Sequence, residues 1–368
     1  MLAERPKSTF VSLDRPRYGA RIKVLVVDDS SFMRTYLSNR LDGFRRIQLV
    51  GTASNGIEAL ERVKQLAPDV VTLDIQMPRL NGLETLERLM KESPTRVLML
   101  SSLTIADSEA TIEALHRGAI DVIAKPRASQ VITEDFIAEV VNKIETVAAR
   151  PLRVPILRSR PAQAQPLPPR PQKALPLGEP RYLVVIGSST GGPAALNEVL
   201  PALPADLDVA YLVVQHMPPN FTRSLAQRIN RAAGLLVKEA EHGDPLRTGM
   251  ALVAPGDFHM TLDAQRHIVL SRGLKVNGVR PAVDVTMEQI APLYGRRACA
   301  VILTGMGNDG TRGARHIRRH NGHVIIQDEA TSVVYGMPGS VARGGYANVE
   351  VPLDRIAEEI VKWRKSIA

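Results

Sequence analysis

Charged and hydroxyl residues in the N-terminal part of the chain stand at the ends of short apolar runs. They are Asp28 and Asp29, Asp74, Ser101 and Lys125. Ligands of a parallel α/β sheet bind at the carboxyl ends of its strands, so these side chains are expected to converge. Three carboxylates in one crevice repel one another, and a hard cation such as Mg²⁺ relieves that repulsion. Asp74 can then attack a phosphoryl group, while Lys125 pairs with the anion and Ser101 hydrogen-bonds a phosphoryl oxygen.

A second set of residues, in the C-terminal part, has the types that nucleophilic catalysis needs. Ser189 lies in the small-residue segment 187–192, between an apolar run and a helical pattern. Such a turn exposes a hydroxyl, and the amides that follow it can stabilise an oxyanion. His216 closes the next apolar run and can act as a general base, and Asp309, in a later Gly-rich loop, can orient its imidazole. The order Ser…His…Asp differs from that of α/β-hydrolases, which predicts a separate fold with a convergent triad.

Each of these three residues has an ordinary structural explanation when it is taken alone. Ser189 fits a helix N-cap, His216 a polar loop residue, and Asp309 a cap for the helix predicted over 310–320. Only the set, gathered at successive strand ends, favours catalysis. Ser188 offers a second hydroxyl, but Ser189 is preferred as the nucleophile because it directly precedes Thr190 and two glycines.

The elements that must position these residues alternate along the chain in two blocks. Residues 21–148 contain five short apolar runs alternating with five helical patterns, which predicts a doubly wound parallel sheet. Residues 182–368 alternate again, with five strand patterns and an apparent hairpin between 258 and 270. Between the blocks, residues 149–181 hold nine prolines and form a predicted Pro/Arg-rich linker. Residues 1–20 are expected to be a disordered extension.

Charge and composition exclude several classes of protein. The net charge of +9 resides in residues 1–23 and 149–181, so the rest of the chain is nearly neutral. Solvated basic segments are therefore favoured over a nucleic-acid groove, and no nucleic-acid partner is expected. No apolar stretch is long enough to span a bilayer, and no signal peptide is recognisable. With a single cysteine as well, the sequence predicts a cytoplasmic protein without membrane insertion.

The second block could instead bind DNA or a nucleotide. A DNA-binding domain should contain a compact helix-turn-helix, and nothing after the predicted linker fits one. A nucleotide site might be sought in 187–192, but the spacing is neither Gly-x-Gly-x-x-Gly nor that of a phosphate loop. The hydrolase interpretation explains the same segment better.

The first block resembles the response-regulator receiver domain. The resemblance covers about residues 21–145 and rests on five features: Asp28-Asp29, Asp74 with Met77-Pro78, Asn81-Gly82, Ser101, and Lys125-Pro126. It implies phosphorylation of Asp74 by a histidine kinase. It also implies that Mg²⁺ is held in the cluster of Asp28, Asp29 and Asp74, mainly by Asp29 and Asp74.

The second block resembles the catalytic domain of the chemotaxis protein-glutamate methylesterases/protein-glutamine glutaminases. The matching segments are 186–192, 215–218 with 221–222, 254–256 with His259, 280–284, 303–310 and 335–338. The fold implied is an N-terminal five-stranded receiver domain followed by a parallel-sheet α/β methylesterase domain.

The resemblance implies hydrolysis of glutamate γ-methyl esters, and deamidation of glutamines, on methyl-accepting chemoreceptors. Ser189 would form a glutamyl-enzyme, His216 would act as base and then acid, and Asp309 would hold His216. The amides near Thr190 and Met306 are oxyanion-hole candidates. No cofactor is expected for the esterase, and a monomer is expected. The alternative is a non-catalytic binding protein of the same fold, switched by phosphorylation, which the intact Ser189, His216 and Asp309 argue against.

Overall fold

The computed structural model describes residues 10–13, 20–102, 104–126, 132–149, 152–155 and 178–367. These residues form two compact units, which divide between residues 168 and 169. In the described part of the chain, none of the helices is both long and apolar enough to cross a bilayer.

The described residues of the N-terminal unit form seven strands and five helices. The strands are β1 (Phe10–Leu13), β2 (Ile22–Val27), β3 (Ile47–Ala53), β4 (Val70–Asp74), β5 (Arg96–Ser101), β6 (Asp121–Ala124) and β7 (Leu152–Pro155). The helices are α1 (Ser31–Leu41), α2 (Gly56–Leu66), α3 (Gly82–Glu92), α4 (Ile105–His116) and α5 (Glu134–Ala148). Strands β2 to β6 form a parallel sheet in the order β3-β2-β4-β5-β6, so the predicted doubly wound five-stranded sheet is confirmed.

Helices in this unit begin where the sequence supplies caps. The Asn55 side chain accepts hydrogen bonds from two amides at the start of α2. Asn81 and Glu84 form a capping box at the start of α3, and this fixes where the helix begins after the loop that follows Asp74. Strands β4 and β5 are wholly buried, as expected for the central strands of a parallel sheet covered on both faces, whereas the edge strand β3 is mostly half-buried.

Two short strands lie outside the predicted elements. Strand β1 pairs with β7 in an antiparallel two-stranded sheet, with Phe10 opposite Pro155 and Leu13 opposite Leu152. The sequence analysis expected a disordered extension at 1–20 and a linker at 149–181, and it did not anticipate this pairing. Each strand has only four residues, too few for an alternating pattern to distinguish it from irregular chain.

From residue 178 to 367, the C-terminal unit is an α/β unit with nine strands and six helices. The strands are β8 (Tyr182–Ser188), β9 (Val209–Gln215), β10 (Leu236–Glu239), β11 (Met250–Val253), β12 (His259–Leu262), β13 (Ile268–Ser271), β14 (Ala298–Ile302), β15 (His323–Gln327) and β16 (Val349–Val351). The helices are α6 (Gly192–Ala202), α7 (Phe221–Ala232), α8 (Val283–Tyr294), α9 (Thr311–Arg319), α10 (Met337–Arg343) and α11 (Ile356–Ser366), and short 3-10 turns span Gly295–Arg297 and Leu353–Arg355.

Seven of these strands form one parallel sheet in the order β10-β11-β9-β8-β14-β15-β16. The central strands β8, β9 and β14 are buried along their whole length, and helix α8 packs its Val283, Met287 and Ile290 into the same core. Strands β12 and β13 form the predicted hairpin. The predicted parallel-sheet α/β fold of the second block is therefore confirmed. Strand β9 lies on one side of β8 and β14 on the other. A binding crevice is expected at the carboxyl end of β8, where the strand order changes direction.

Candidate functional sites

The acidic residues of the N-terminal unit converge as predicted. Asp28 follows β2, and Asp74 ends the adjacent strand β4, so both lie at the carboxyl edge of the sheet. Asp28, Asp29 and Asp74 each offer a carboxylate oxygen within 4.8 Å of the other two. Asp28 and Asp74 are buried, whereas Asp29 is exposed at the mouth of the crevice. The cluster therefore opens to solvent on the side of Asp29.

Lys125 provides the cation of this cluster. Its Nζ lies 2.7 Å from Asp28 Oδ2 and 2.8 Å from Asp74 Oδ2. The backbone holds it there, because the Lys125 amide donates to the Ser101 carbonyl at 2.8 Å. Two carboxylates thus share one ammonium, and a third lies beside them. A second cation, Arg34, donates to the backbone carbonyls of Asp28 and Asp29 at 2.7 and 2.9 Å.

The donor set fits a hard divalent cation. Asp28 Oδ2 is buried and makes no geometrically aligned hydrogen bond within the described part of the chain, although the Lys125 ammonium lies close to it. Burial raises the pKa of Asp74 to about 6, with Asp28 and Asp29 adding to the rise and Lys125 opposing it. A magnesium ion bound by these oxygens would relieve both the desolvation and the repulsion.

Ser101 and the loop after it form a hydrogen-bonded network beside the acidic cluster. Ser101 is buried, and Thr111 of α4 donates to its Oγ at 2.8 Å. The neighbouring Asp107 carboxylate accepts from Gln76 Nε2 at 2.6 Å and from the hydroxyls of Ser102 and Thr104. The network joins the loop after β4 to the start of α4, so a change at Asp74 has a physical connection to that helix.

The loop after Asp74 requires a glycine. A Cβ atom on Gly82 would lie 2.1 Å from the Asp74 carbonyl oxygen and 2.8 Å from the Ile75 Cα. The Gly82 amide also donates to the Ile75 carbonyl at 2.9 Å. Only glycine allows α3 to begin this close to the acidic cluster.

In the C-terminal unit, strand register brings Ser189 beside His216. Ser188 of β8 is opposite Gln215 of β9, so the next residue of each strand leaves the sheet at the same edge. The His216 amide donates to the Ser188 carbonyl at 3.1 Å. On the other side of β8, the Ser189 amide donates to the Thr304 carbonyl at 3.0 Å. Ser189 is therefore held between the loops that follow β9 and β14.

Gln215 links the segments that follow β8 and β9 by hydrogen bonds, a role that the sequence did not predict. Its Nε2 donates to the carbonyls of Ser189 at 3.0 Å and His216 at 3.1 Å. Its Oε1 accepts from the buried Ser188 hydroxyl at 2.6 Å. The Ser188 hydroxyl thus has a structural partner away from solvent, which supports Ser189 as the residue positioned for chemistry.

His216 and Asp309 form the predicted pair. His216 Nε2 lies 2.8 Å from Asp309 Oδ2, and both side chains are largely buried. The Asp309 carboxylate also accepts from the amides of Val283 at 2.7 Å and Asp284 at 3.0 Å, at the start of α8. Burial opposes ionisation of Asp309, but hydrogen bonds from His216 and these amides outweigh it and hold the pKa of Asp309 below its usual value. Asp309 is therefore a fixed anion facing the imidazole.

The two oxyanion candidates lie in the loops that follow β8 and β14. Thr190 is buried, and its carbonyl accepts from the Thr304 hydroxyl at 2.9 Å. Met306 is 36% exposed in the loop after β14. Gly305 directly precedes Met306, and a Cβ atom on Gly305 would lie 2.8 Å from the Ser189 Cβ. The loop after β14 therefore packs directly against the serine.

These features define a class of protein: a receiver-type unit with an acidic crevice at the carboxyl edge of its sheet, followed by an α/β unit in which a His–Asp pair lies beside a serine at the end of a central strand. The family described as "Response regulator receiver domain" matches residues 24–136, and the family described as "CheB methylesterase" matches residues 184–360. The chain belongs to the protein-glutamate methylesterase/protein-glutamine glutaminase family, as the sequence resemblance implied.

Relatives of this name match over nearly their whole length. The protein from Symbiobacterium thermophilum is 48% identical, covering 93% of this chain and 96% of its own. The Pseudomonas aeruginosa relative, whose name carries the number 2, is 46% identical, and the match covers 93% of this chain and 96% of the relative. The solved CheB methylesterase catalytic domain of Thermotoga maritima is 47% identical, covers 49% of this chain and 97% of its own, and has a TM-score of 0.48.

Proposed function

We propose that this chain hydrolyses glutamate γ-methyl esters of methyl-accepting chemoreceptors, releasing methanol, and deamidates receptor glutamines to glutamate. The relatives named for these two reactions support the proposal. The observation that carries it is the His216–Asp309 pair, set beside Ser189 at the carboxyl ends of adjacent strands. Removal of a methyl ester or an amide from a glutamyl side chain is acyl transfer, and this set of residues suits it.

Ser189 attacks the γ-carbonyl carbon of the substrate and forms a glutamyl ester. Asp309 occupies Nε2 of His216, so Nδ1 is the ring nitrogen that takes the Ser189 proton and returns it to the leaving methanol or ammonia. Water then attacks the glutamyl ester with His216 again as base, and Ser189 is regenerated. The amides near Thr190 and Met306 stabilise the oxyanion of both tetrahedral intermediates. No cofactor takes part in these steps.

The N-terminal unit accepts a phosphoryl group on Asp74 from a histidine kinase. Asp28, Asp29 and Asp74 would hold a magnesium ion, which would supply positive charge to neutralise phosphoryl oxygens. Lys125 pairs with the phosphoryl anion, and Ser101 turns its hydroxyl towards a phosphoryl oxygen. Phosphorylation increases the esterase activity in this proposal, and the enzyme thereby serves chemotactic adaptation.

The proposal includes the domain boundaries expected from the sequence: an extension at 1–20, a receiver domain at 21–148, a linker at 149–181 and a catalytic domain at 182–368. The family matches at 24–136 and 184–360 fall within the two domains. A cytoplasmic monomer, without nucleic-acid binding or membrane insertion, remains the expected form of the protein.

The decisive experiment measures methanol release from methylated receptor fragments. Ser189→Ala should lose at least about 10³-fold in turnover, because a triad that has lost its nucleophile keeps only the contribution of binding and the oxyanion hole. Ser271→Ala, at the exposed end of β13, is the matched control and should retain activity. Wild-type protein that binds the fragments without releasing methanol would favour the non-catalytic alternative.

The phosphoacceptor assignment has a separate test. Wild-type protein incubated with acetyl phosphate and Mg²⁺ should form an acyl phosphate, and Asp74→Asn should not, because an amide is a poor nucleophile. A phosphoryl adduct of equal yield on Asp74→Asn would place the acceptor elsewhere.

A further inference from the structure

A side-chain amide lies between two buried carboxylates beside the catalytic pair. Asn277 Nδ2 donates to Asp309 Oδ1 at 3.1 Å and to Asp284 Oδ2 at 2.9 Å. Both carboxylate residues are only 2% exposed. Asn277 itself is on an exposed turn, so its side chain reaches inward from the surface to these two groups.

The turn that carries Asn277 suits this task. Val276 and Val279 exchange backbone hydrogen bonds at 3.1 and 3.0 Å, and the two residues between them, Asn277 and Gly278, have φ of 54° and 79°. Two central residues with positive φ make a type I′ turn, for which Asn-Gly is the preferred sequence. The amide is therefore presented on a tight hairpin whose backbone conformation its own sequence favours.

Asp284 anchors the other side of the amide. It lies in the first turn of α8, and its Oδ1 accepts from the Gly313 amide of α9 at 2.7 Å. Its own amide donates to Asp309 Oδ1. Burial raises the pKa of Asp284, and the neighbouring Asp309 adds to the rise. The other charged groups that face this pair are His216, bonded to Asp309, and Arg312 of α9.

We propose that Asn277 is a positioning residue of the esterase: its amide fixes the Asp309 carboxylate in the orientation that receives His216 Nε2, with Asp284 as the second anchor. The activity part of this inference rests on the proposed function. Asp309 Oδ2 must face the imidazole, and Oδ1 is the oxygen that Asn277, Asp284 and Gly310 hold. Asn277 also places donor hydrogens between two carboxylates that would otherwise repel each other directly.

Loss of this amide should affect turnover more than substrate binding. The amide contacts neither Ser189 nor the ester, so KM should stay within about twofold, while a misoriented imidazole should lower kcat about 10- to 100-fold. The carboxylate of Asp309 would lose a donor that favours its charged form. A less stabilised Asp309 carboxylate moves the acid limb of the kcat–pH profile to higher pH.

The experiment compares three variants of the full chain. Asn277→Gly deletes the amide and keeps the turn, because glycine accepts positive φ without strain. Asn277→Asp keeps the shape but replaces the donor with a third carboxylate, and should be at least as inactive as Asn277→Gly. Asn321→Gly, at an exposed position with φ of 62° after α9, is the matched control and should keep wild-type kcat and pH profile.

A direct readout of the imidazole separates this inference from the proposed function. Histidine-selective ¹⁵N labelling should reveal the His216 Nε2–H signal, assigned by its loss in His216→Gln. That signal should shift in Asn277→Gly and Asn277→Asp but not in Asn321→Gly. If wild type lacks esterase activity, the proposed function fails while this measurement still tests the positioning role. An unmoved signal, a kcat within twofold of wild type for Asn277→Gly, or full activity of Asn277→Asp would overturn the inference.

Discussion

Replacing the phosphoacceptor Asp74 with asparagine should stabilise the N-terminal unit. Asp74 is 5% exposed, and burial, with Asp28 and Asp29 adding, raises its pKa from 3.8 to about 6 despite the nearby ammonium of Lys125. This difference corresponds to about 3 kcal/mol in the free energy of unfolding for the fully ionised group. An asparagine at position 74 is uncharged and does not carry the cost of burying a charge. It does lose the attraction to the Lys125 ammonium, which still pairs with Asp28. We expect Asp74→Asn to raise the free energy of unfolding by about 1–3 kcal/mol at pH 7.5 without Mg²⁺.

The pH dependence follows from the sign of the pKa change. Between pH 3.8 and about 6 the folded state binds more protons at Asp74 than the unfolded state does. The free energy of unfolding of wild type therefore falls as pH rises through this window, and the full cost is present above it. The advantage of Asp74→Asn should be small near pH 4, grow through pH 5 and 6, and level off above pH 7.

Native-state hydrogen exchange of peptides from β4 and β5 measures this stability within the full chain. The only tryptophan, Trp363, lies in α11 of the C-terminal unit, and its fluorescence provides an internal control that should not change. Asp135→Asn, exposed in the first turn of α5, is the matched control and should change stability by less than about 0.5 kcal/mol. Equal or lower stability of Asp74→Asn at pH 7.5 would refute the reasoning.

Two further predictions concern the esterase. Ser188→Ala should keep more than about a tenth of wild-type turnover. It should lose about 1–2 kcal/mol of stability in urea unfolding, because the buried Gln215 Oε1 loses its hydrogen-bond donor. A loss of turnover as large as that of Ser189→Ala would make Ser188 the nucleophile. Deleting residues 1–160 should raise the basal demethylation rate if, as we propose, a linker at 149–181 keeps an inhibitory receiver at high effective concentration around the catalytic domain. An unchanged or lower rate in the truncated protein, with phosphorylation still activating the full chain, would mean that the receiver acts as a positive element.

Most of the fold was predictable because buried parallel strands are continuous apolar runs between helical patterns. The five apolar runs predicted within residues 21–148 correspond to the five strands β2 to β6. The missed elements are short and partly polar. Strands β10 and β16 are edge strands of four and three residues with intermediate or alternating burial, and α10 is a seven-residue helix that contains Pro338 and Gly339. Such segments form because a neighbouring strand or the core is already present, and their own sequence carries little signal.

The site residues also divide into those that the sequence could locate and those that it could not. Residues that end a strand or directly follow one, such as Asp74 and His216, could be located from the sequence, because strand ends meet at one edge of a parallel sheet. Gln215 and Asn277 could not be assigned from it. The Asn-Gly pair does indicate a hairpin turn, but the partners of the amide come from α8 and from the loop after β14, which only the tertiary structure brings together.

Strand register is the property on which the C-terminal site depends most. Side chains of a strand alternate between faces, so a shift of β9 by one residue would move Gln215 away from the loops that it joins and turn His216 from Asp309. Gln215 opposes this shift, because its bonds to the Ser189 carbonyl and the Ser188 hydroxyl, both on the β8 side, depend on the observed register. A buried polar side chain without these partners would cost about 1–3 kcal/mol. Gln215 therefore couples the pairing of two central strands to the geometry of the site, which explains why an amide stands at the end of an otherwise apolar strand.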